Sequence, residues 1–195
     1  MYRSFLTSSN LLVIAGKNAN QNDEVVRKAN KQDIILHTAL RGSPFCIIKT
    51  KTGKIDSKSI KEAAIFCASF SKAWKQGKKI VEIHIFNKTN TYKTKRMPKG
   101  TYGVKKFKRI KVKPELAIGI KQGKIQCSPS TALDKIYIKI YQGKQDKEKA
   151  AEKIKTKVAI PMHYASIIGT SNDADKFIQL CKEKDINAQK LEKEQ

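Results

Sequence analysis

The sequence predicts an α+β fold: a largely antiparallel sheet, a long covering helix over about residues 57–76, and a C-terminal strand–helix appendage. Three observations carry this reading. Strand-like segments outnumber helical ones. Several follow one another across turns short enough for hairpins, which pairs them antiparallel. One stretch, Asp56 to Lys79, places its apolar residues at helical spacing over most of its length. With 39% hydrophobic residues in 195, the chain can bury a core. Its expected organisation is one domain over residues 1–145 and an extension over 146–195 made of helix, strand and helix.

The elements justify themselves in order. FLTSSNLLVIAGK, Phe5–Lys17, reads as two short strands around a Ser8–Asn10 turn. NQNDEVVRKANK, from Asn20, reads as a short helix capped by Asn20 or Asn22, with Asp23 and Glu24 in its first turn and Arg27 and Lys28 near its end. DIILHTAL and PFCIIKT are strands joined by the RGSP turn. Ser57 or Ser59 is expected to cap the long helix, and Gly77 to end it. Its face would carry Ile60, Ala63, Ala64, Cys67, Ser71 and Trp74. In KIVEIHIF, Val81, Ile83 and Ile85 point one way and Glu82, His84 and Phe86 the other. After a basic stretch with turns at Gly100 and Gly103, LAIGIKQGKIQC forms a hairpin. A strand follows with Ile136, Ile138 and Ile140 on one side. The last segments read as a charged helix, the strand KVAIPMHY and the helix SNDADKFIQLCKEKD.

Charge is the strongest signal. The net charge is +24, far beyond what solubility asks for, and such a field attracts nucleic acid or an acidic membrane. It is concentrated: Lys72–Lys113 holds fifteen Lys or Arg against one acid, Glu82, whereas residues 114–195 hold fifteen against eleven. NTYKTKRMPKGTYGVKKFKRIKVKP, Asn90–Pro114, contains no acid at all. Phosphate neutralisation is the role that such density serves. Within it, Lys93, Lys95, Arg96, Lys105, Lys106, Lys108 and Arg109 are the expected phosphate contacts. Lys79, Lys88 and Lys99 extend the set. Tyr92, Tyr102 and Phe107 lie among the cations and suit stacking on unpaired bases, although Phe107 equally suits a strand anchor.

Other classes find little support. Cys46, Cys67, Cys127 and Cys181 lack C-x-x-C spacing, so no metal site and no cofactor is expected. Phosphate-loop and nucleophile-elbow motifs are absent, and no catalytic residue is expected. No run reaches the roughly 20 apolar residues of a spanning helix, so the expectation is a cytoplasmic protein that does not enter a membrane. A second reading keeps an enzyme-related role open: an accessory factor of RNA modification using a reactive Cys46 or Cys127.

The blocks GKNANQNDEVV (Gly16–Val26), DIILHTALRGSPFCIIK (Asp33–Lys49) and EAAIFCASFSKAWKQG (Glu62–Gly77) together resemble the NFACT-R domain. This is the RNA-binding domain of the NFACT proteins of ribosome-associated quality control. The family pattern has an Asn six residues after an opening Gly, here Asn22 after Gly16. It continues with a His four residues after a strand Asp, here His37 after Asp33, and a helix closing on Ser-x-Ala-Trp, here Ser71–Trp74. The resemblance spans about residues 4–145 and fits the archaeal form best. Ile35 stands where the family often has an aromatic residue.

The resemblance implies a non-enzymatic RNA-binding protein that contacts tRNA or ribosomal RNA, with the large ribosomal subunit as a candidate partner, acting as a monomer. It adds Asn22, His37, Arg41 and Ser43 to the RNA contacts, with a structural histidine as the competing reading of His37. Asp33 is expected to pin its loop and Trp74 to join the core. No segment matches the N-terminal NFACT domain or the coiled coil, so a stand-alone NFACT-R protein is expected. The tail KVAIPMHYASIIGTSNDADKFIQLC locally resembles the last strand and helix of metallo-β-lactamase-fold hydrolases, through His163. Their H-x-H-x-D-H run is nowhere in the chain.

Overall fold

The computed structural model describes residues 2–140 and, further on, Ile178, Gln179, Lys182 and Glu183. The chain divides into two units, 1–142 and 143–195. The first unit contains β1 (Arg3–Leu6), β2 (Leu12–Ala15), α1 (Ala19–Arg27), β3 (Ile34–Thr38), β4 (Cys46–Ile48), α2 (Ser57–Ser69) and α3 (Lys72–Lys75). These are followed by β5 (Val81–Asn87), β6 (Thr91–Tyr92), β7 (Gly103–Val104), β8 (Lys108–Val112), β9 (Leu116–Lys121), β10 (Lys124–Ser128) and β11 (Lys135–Ile140).

Six strands form one sheet in the order β1-β2-β4-β3-β5-β8, every neighbouring pair antiparallel. β10-β9-β11 form a smaller sheet, and β6 with β7 a two-stranded ribbon. The large sheet is covered on both faces. On one, Leu36, Cys46, Ile48 and Ile83 pack against Ala63, Ala64, Phe66 and Cys67 of α2. On the other, Ile35, Phe45, Ile47 and Phe86 pack against Val25 and Val26 of α1. The alternation read in β5 thus serves two cores, with Val81 and Ile83 in the first and Phe86 in the second.

The expected long covering helix is not present. Among the described residues antiparallel strand outweighs helix, and the helices are short. α2 ends at Ser69, where the Ser69 hydroxyl turns back on the Ile65 carbonyl at 2.8 Å. Phe70 caps it, and Ser71 takes an extended backbone, φ −86° and ψ 157°. The Ser71 side chain then accepts the Trp74 N–H at 3.3 Å and starts the separate turn α3. A serine read as part of a helical face serves as a cap instead, because its hydroxyl competes with the helix ladder for backbone groups. The expected C-terminal strand–helix appendage lies outside the described residues, as do His163 and Cys181.

Smaller differences have the same kind of cause. Asn18, not Asn20 or Asn22, caps α1 by accepting the Gln21 N–H at 2.9 Å. Asp56 caps α2 by accepting the Ser59 N–H at 2.8 Å. A register shift between Ile136 and Ile138 breaks the expected alternation of β11, leaving Ile136 exposed while Ile138 is buried. The β9–β10 hairpin forms as read, turning through Gln122 and Gly123, both at positive φ.

Candidate nucleic-acid interface

The second face of the large sheet holds the candidate site. β3 and β5 pair so that His37 stands opposite His84, and β5 and β8 pair so that His84 stands opposite Arg109. Side chains on one face recur every second residue, so this row continues the face that buries Ile35 and Phe86 one step along. Phe45, next to β4, joins it: its ring centroid lies 4.4 Å from that of His37 and 5.7 Å, edge-on, from that of Tyr102. Phe107 stacks on His84 at 3.9 Å and 20°, and the Arg109 guanidinium lies 5.1 Å from the Phe107 centroid.

These rings belong to the floor of a groove of about 880 Å³. Its lining includes six permanent cations, Arg3, Lys17, Arg41, Lys75, Arg96 and Lys99, and no Asp or Glu. One wall is the segment between β6 and β7, which three contacts hold against α1. Lys93 pairs with Asp23 and lies 4.8 Å from the Tyr102 ring centroid. Tyr102 donates its hydroxyl to the Asp23 carbonyl at 3.5 Å. Gly100, at φ +73°, packs so closely on α1 that a Cβ there would lie 2.8 Å from the Ala19 Cα. This docking sets Arg96 and Lys99 on the groove's rim.

Ionisation follows from these surroundings. Burial pushes the His37 imidazole below its ordinary value, and the neighbouring His84 adds to this; its hydrogen bond to the Thr38 carbonyl opposes it only in part. Burial pushes the Tyr102 phenol up, and Asp23 pushes it further. For Asp23 burial acts upwards, but hydrogen bonds from Lys93 and the Gly100 backbone, with the Lys93 charge, hold the carboxyl below its usual range.

The expected contacts sort into three groups. His37, Arg41, Ser43, Arg96, Lys99, Tyr102 and Asn22 line the groove. Among them Asn22 and Ser43 have structural work: Asn22 accepts the Phe45 N–H at 3.1 Å, and Ser43 accepts the Thr38 N–H at 3.2 Å. Lys93 and Lys88 are engaged outside it, Lys93 with Asp23 and Lys88 by donating to the carbonyls of Arg27 and Ala29 at the end of α1. Lys95, Lys105, Lys106, Lys108 and Arg109 are exposed beyond the groove, and Lys79 lies by a separate hollow beside Trp74 and Lys113. The Tyr92 ring packs over Gly103. Sequence reasoning missed Arg3, Lys17, Lys75, Phe45 and Phe70 as groove residues. Lys17, Phe45, Phe70 and Lys75 all lie inside the blocks that carry the family resemblance, and Lys75 also inside the basic stretch Lys72–Lys113; Arg3 alone carried no local signal.

Asp33 pins its loop, accepting the N–H groups of Asn30 and Thr50 and an ion pair from Lys49. Trp74 packs against the first core. The cysteine reading meets an obstacle: Cys46 is fully buried and its thiol is pushed well up by burial and by Cys67, and burial also raises Cys127. Among the described residues no cluster of His, Cys, Asp or Glu could hold a metal, and no helix is long and apolar enough to cross a membrane.

Comparison with known proteins fits this geometry. The family model of the NFACT protein RNA binding domain matches residues 1–106. The chain belongs to that family. It is 43% identical over 67 residues to an archaeal Rqc2 homologue, aRqcH, of Methanocaldococcus jannaschii, which covers 34% of this chain and 10% of that protein. It is 38% identical over 72 residues to the ribosome quality control complex subunit NEMF homologue of Drosophila melanogaster, and 35% identical over 72 to NEMF of Homo sapiens. Each of these covers 36% of this chain and 7% of the relative. The chain thus matches a tenth or less of these relatives' length.

The fold is similar to the C-terminal part of the fibronectin/fibrinogen-binding protein of Streptococcus suis, with a TM-score of 0.53 and 23% identity over 58% of this chain and 45% of that one. The NFACT-R resemblance read from the sequence therefore holds, while the family match ends at residue 106 rather than near 145. The hydrolase resemblance of the tail finds no support in these comparisons, and His163 is outside the described residues.

Proposed function

We propose that the NFACT-R chain binds RNA, either tRNA or ribosomal RNA, in ribosome quality control, and that it does so by recognition rather than by chemistry of its own. The observation that carries this is the groove lined by six cations and no carboxylate over a floor of aromatic rings. Cations neutralise phosphates and release their counterions, while rings offer faces or edges to bases. The names of the archaeal and animal relatives support the setting, because they are an Rqc2 homologue and subunits of the ribosome quality control complex. In this reading the large ribosomal subunit is the partner, and the protein acts as a monomer in the cytoplasm.

A salt titration of binding to a tRNA-like RNA tests it. Neutralising several phosphates gives a log–log slope of magnitude about 4 or more. A slope near one, or no binding at low salt, would sink the reading. The cysteine alternative predicts instead rapid alkylation of Cys46 or Cys127 in the folded protein, which the burial of Cys46 and the raised proton affinity of both thiols oppose.

A further inference from the structure

The geometry points to Arg3 as a phosphate-anchoring residue inside the groove, holding the backbone of an unpaired RNA segment whose bases meet the aromatic floor. This deepens the RNA-binding reading and rests on it.

Arg3 is half-buried in the groove lining, and its guanidinium has no carboxylate partner among the described residues. Every other contact recorded for its side chain orients it without neutralising it. One Nη donates to the Gly16 carbonyl at 3.0 Å, and the plane lies 4.7 Å from the centroid of the Phe70 ring. Phe70 is in turn braced edge-on against Phe66, 4.8 Å away in the core. Phe70 is the residue that caps the end of α2, directly after Ser69. A cation taken partly out of water without an anion is unfavourable, and burial accordingly lowers the proton affinity of Arg3. A bound phosphate removes that deficit, and the remaining N–H donors on the edge of a planar fork held on two points suit its oxygens.

The choice of unpaired RNA over duplex follows from shape. A duplex exposes phosphates and sugars and keeps its bases stacked inside, so it gains nothing from recessed rings. This groove recesses His37, Phe45, His84, Tyr102 and Phe107 below a cationic rim. Its volume of about 880 Å³ lies within the range of pockets that enclose small ligands. Arg3 sits inside the groove, where only a strand able to splay its bases brings a phosphate.

The test compares a short single-stranded RNA with a duplex of the same length by fluorescence anisotropy at fixed salt, with thermal melts of each protein. The single strand is expected to bind at least about tenfold tighter, and Arg3→Lys to weaken it about tenfold while changing duplex binding little, since a charged hydrogen bond is worth that much. Equal affinity for the two RNAs, or a folded Arg3→Lys variant that binds the single strand like the wild type, overturns the inference while leaving electrostatic RNA binding intact. No salt-dependent binding to either RNA defeats the broader reading as well. Because Arg3 also supports the Gly16 carbonyl, the wild-type protein supplies a second measurement. Photocrosslinks from a 4-thiouridine-containing strand are expected in the segments holding Phe70 and Tyr102; crosslinks confined to β8 overturn the assignment.

Discussion

The side-chain oxygen of Asn22 accepts the backbone N–H of Phe45 at 3.1 Å and so ties α1 to the ring at the centre of the groove floor. A residue the family pattern offered as an RNA contact thus holds the shape of the floor. Asn22→Ala leaves the Phe45 N–H without its partner and is expected to cost about 1–2 kcal/mol of stability. Asn22→Asp keeps the acceptor and is expected to cost less, while its added negative charge beside the groove weakens RNA binding. Urea denaturation of the two variants checks the order; equal destabilisation by both would contradict it.

The groove's wall depends on one close approach. Gly100→Ala combines a positive φ with a Cβ placed 2.8 Å from the Ala19 Cα. It is expected to lose about 2 kcal/mol or more and to weaken RNA binding, because Arg96 and Lys99 shift with the loop. Gly123 has the same φ, +73°, with nothing within 4 Å of its Cβ position. Gly123→Ala should therefore lose only about 1 kcal/mol and leave RNA affinity unchanged. Melting and anisotropy measured on both variants separate loop docking from simple backbone strain.

Much of this frame was legible in the sequence. The strand pairs around Ser8–Asn10, Arg41–Pro44 and Gln122–Gly123 were signalled by turn residues, and the α2 face by its alanines. The end of α2 was not, because Ser71 fits a helical face and a cap equally well until its hydroxyl finds the Trp74 N–H. The site was half legible. Charge density marked Arg96 and Lys99, and the family pattern marked His37 and Arg41. Density could not tell rim cations from Lys88 and Lys93, which bind backbone carbonyls and Asp23. Arg3, Phe45 and Phe70 reach the groove from separate elements, through contacts of long sequence separation that no local pattern encodes.

His37 gives a pH dependence with a definite sign. Its folded-state value lies below its unfolded one, chiefly through burial. The unfolded chain therefore binds the proton more readily, and stability falls as pH drops below the unfolded value of about 6.5. Between pH 7.5 and 5.5 the wild type is expected to lose melting temperature, and His37→Gln to lose less over the same window, in experiments covering about that range. The lowered carboxyls of Asp23 and Asp56 act only at lower pH, since their stabilising ionisation is lost as pH falls through their depressed values. A wild-type melting curve flat across that window would show that His37 titrates normally.

Position, and not only total charge, is expected to govern affinity. Arg41, Arg96 and Lys99 are exposed on the groove rim. Lys51, Lys54 and Lys58 are equally exposed but lie outside its lining. Reversing either trio to Glu changes the net charge by the same amount. If the long-range field alone recruits RNA, the two triple variants lose affinity alike. Screening limits each exposed charge to a reach of about 8 Å at physiological salt, so contact at the rim outweighs charge elsewhere. The rim variant is therefore expected to lose at least about tenfold more, about 1.4 kcal/mol. Both should fold like the wild type, since exposed substitutions of this kind cost within about 0.5 kcal/mol each. Filter binding at about 0.15 M salt decides it. Equal losses would move the RNA track off the groove and onto the protein's general field.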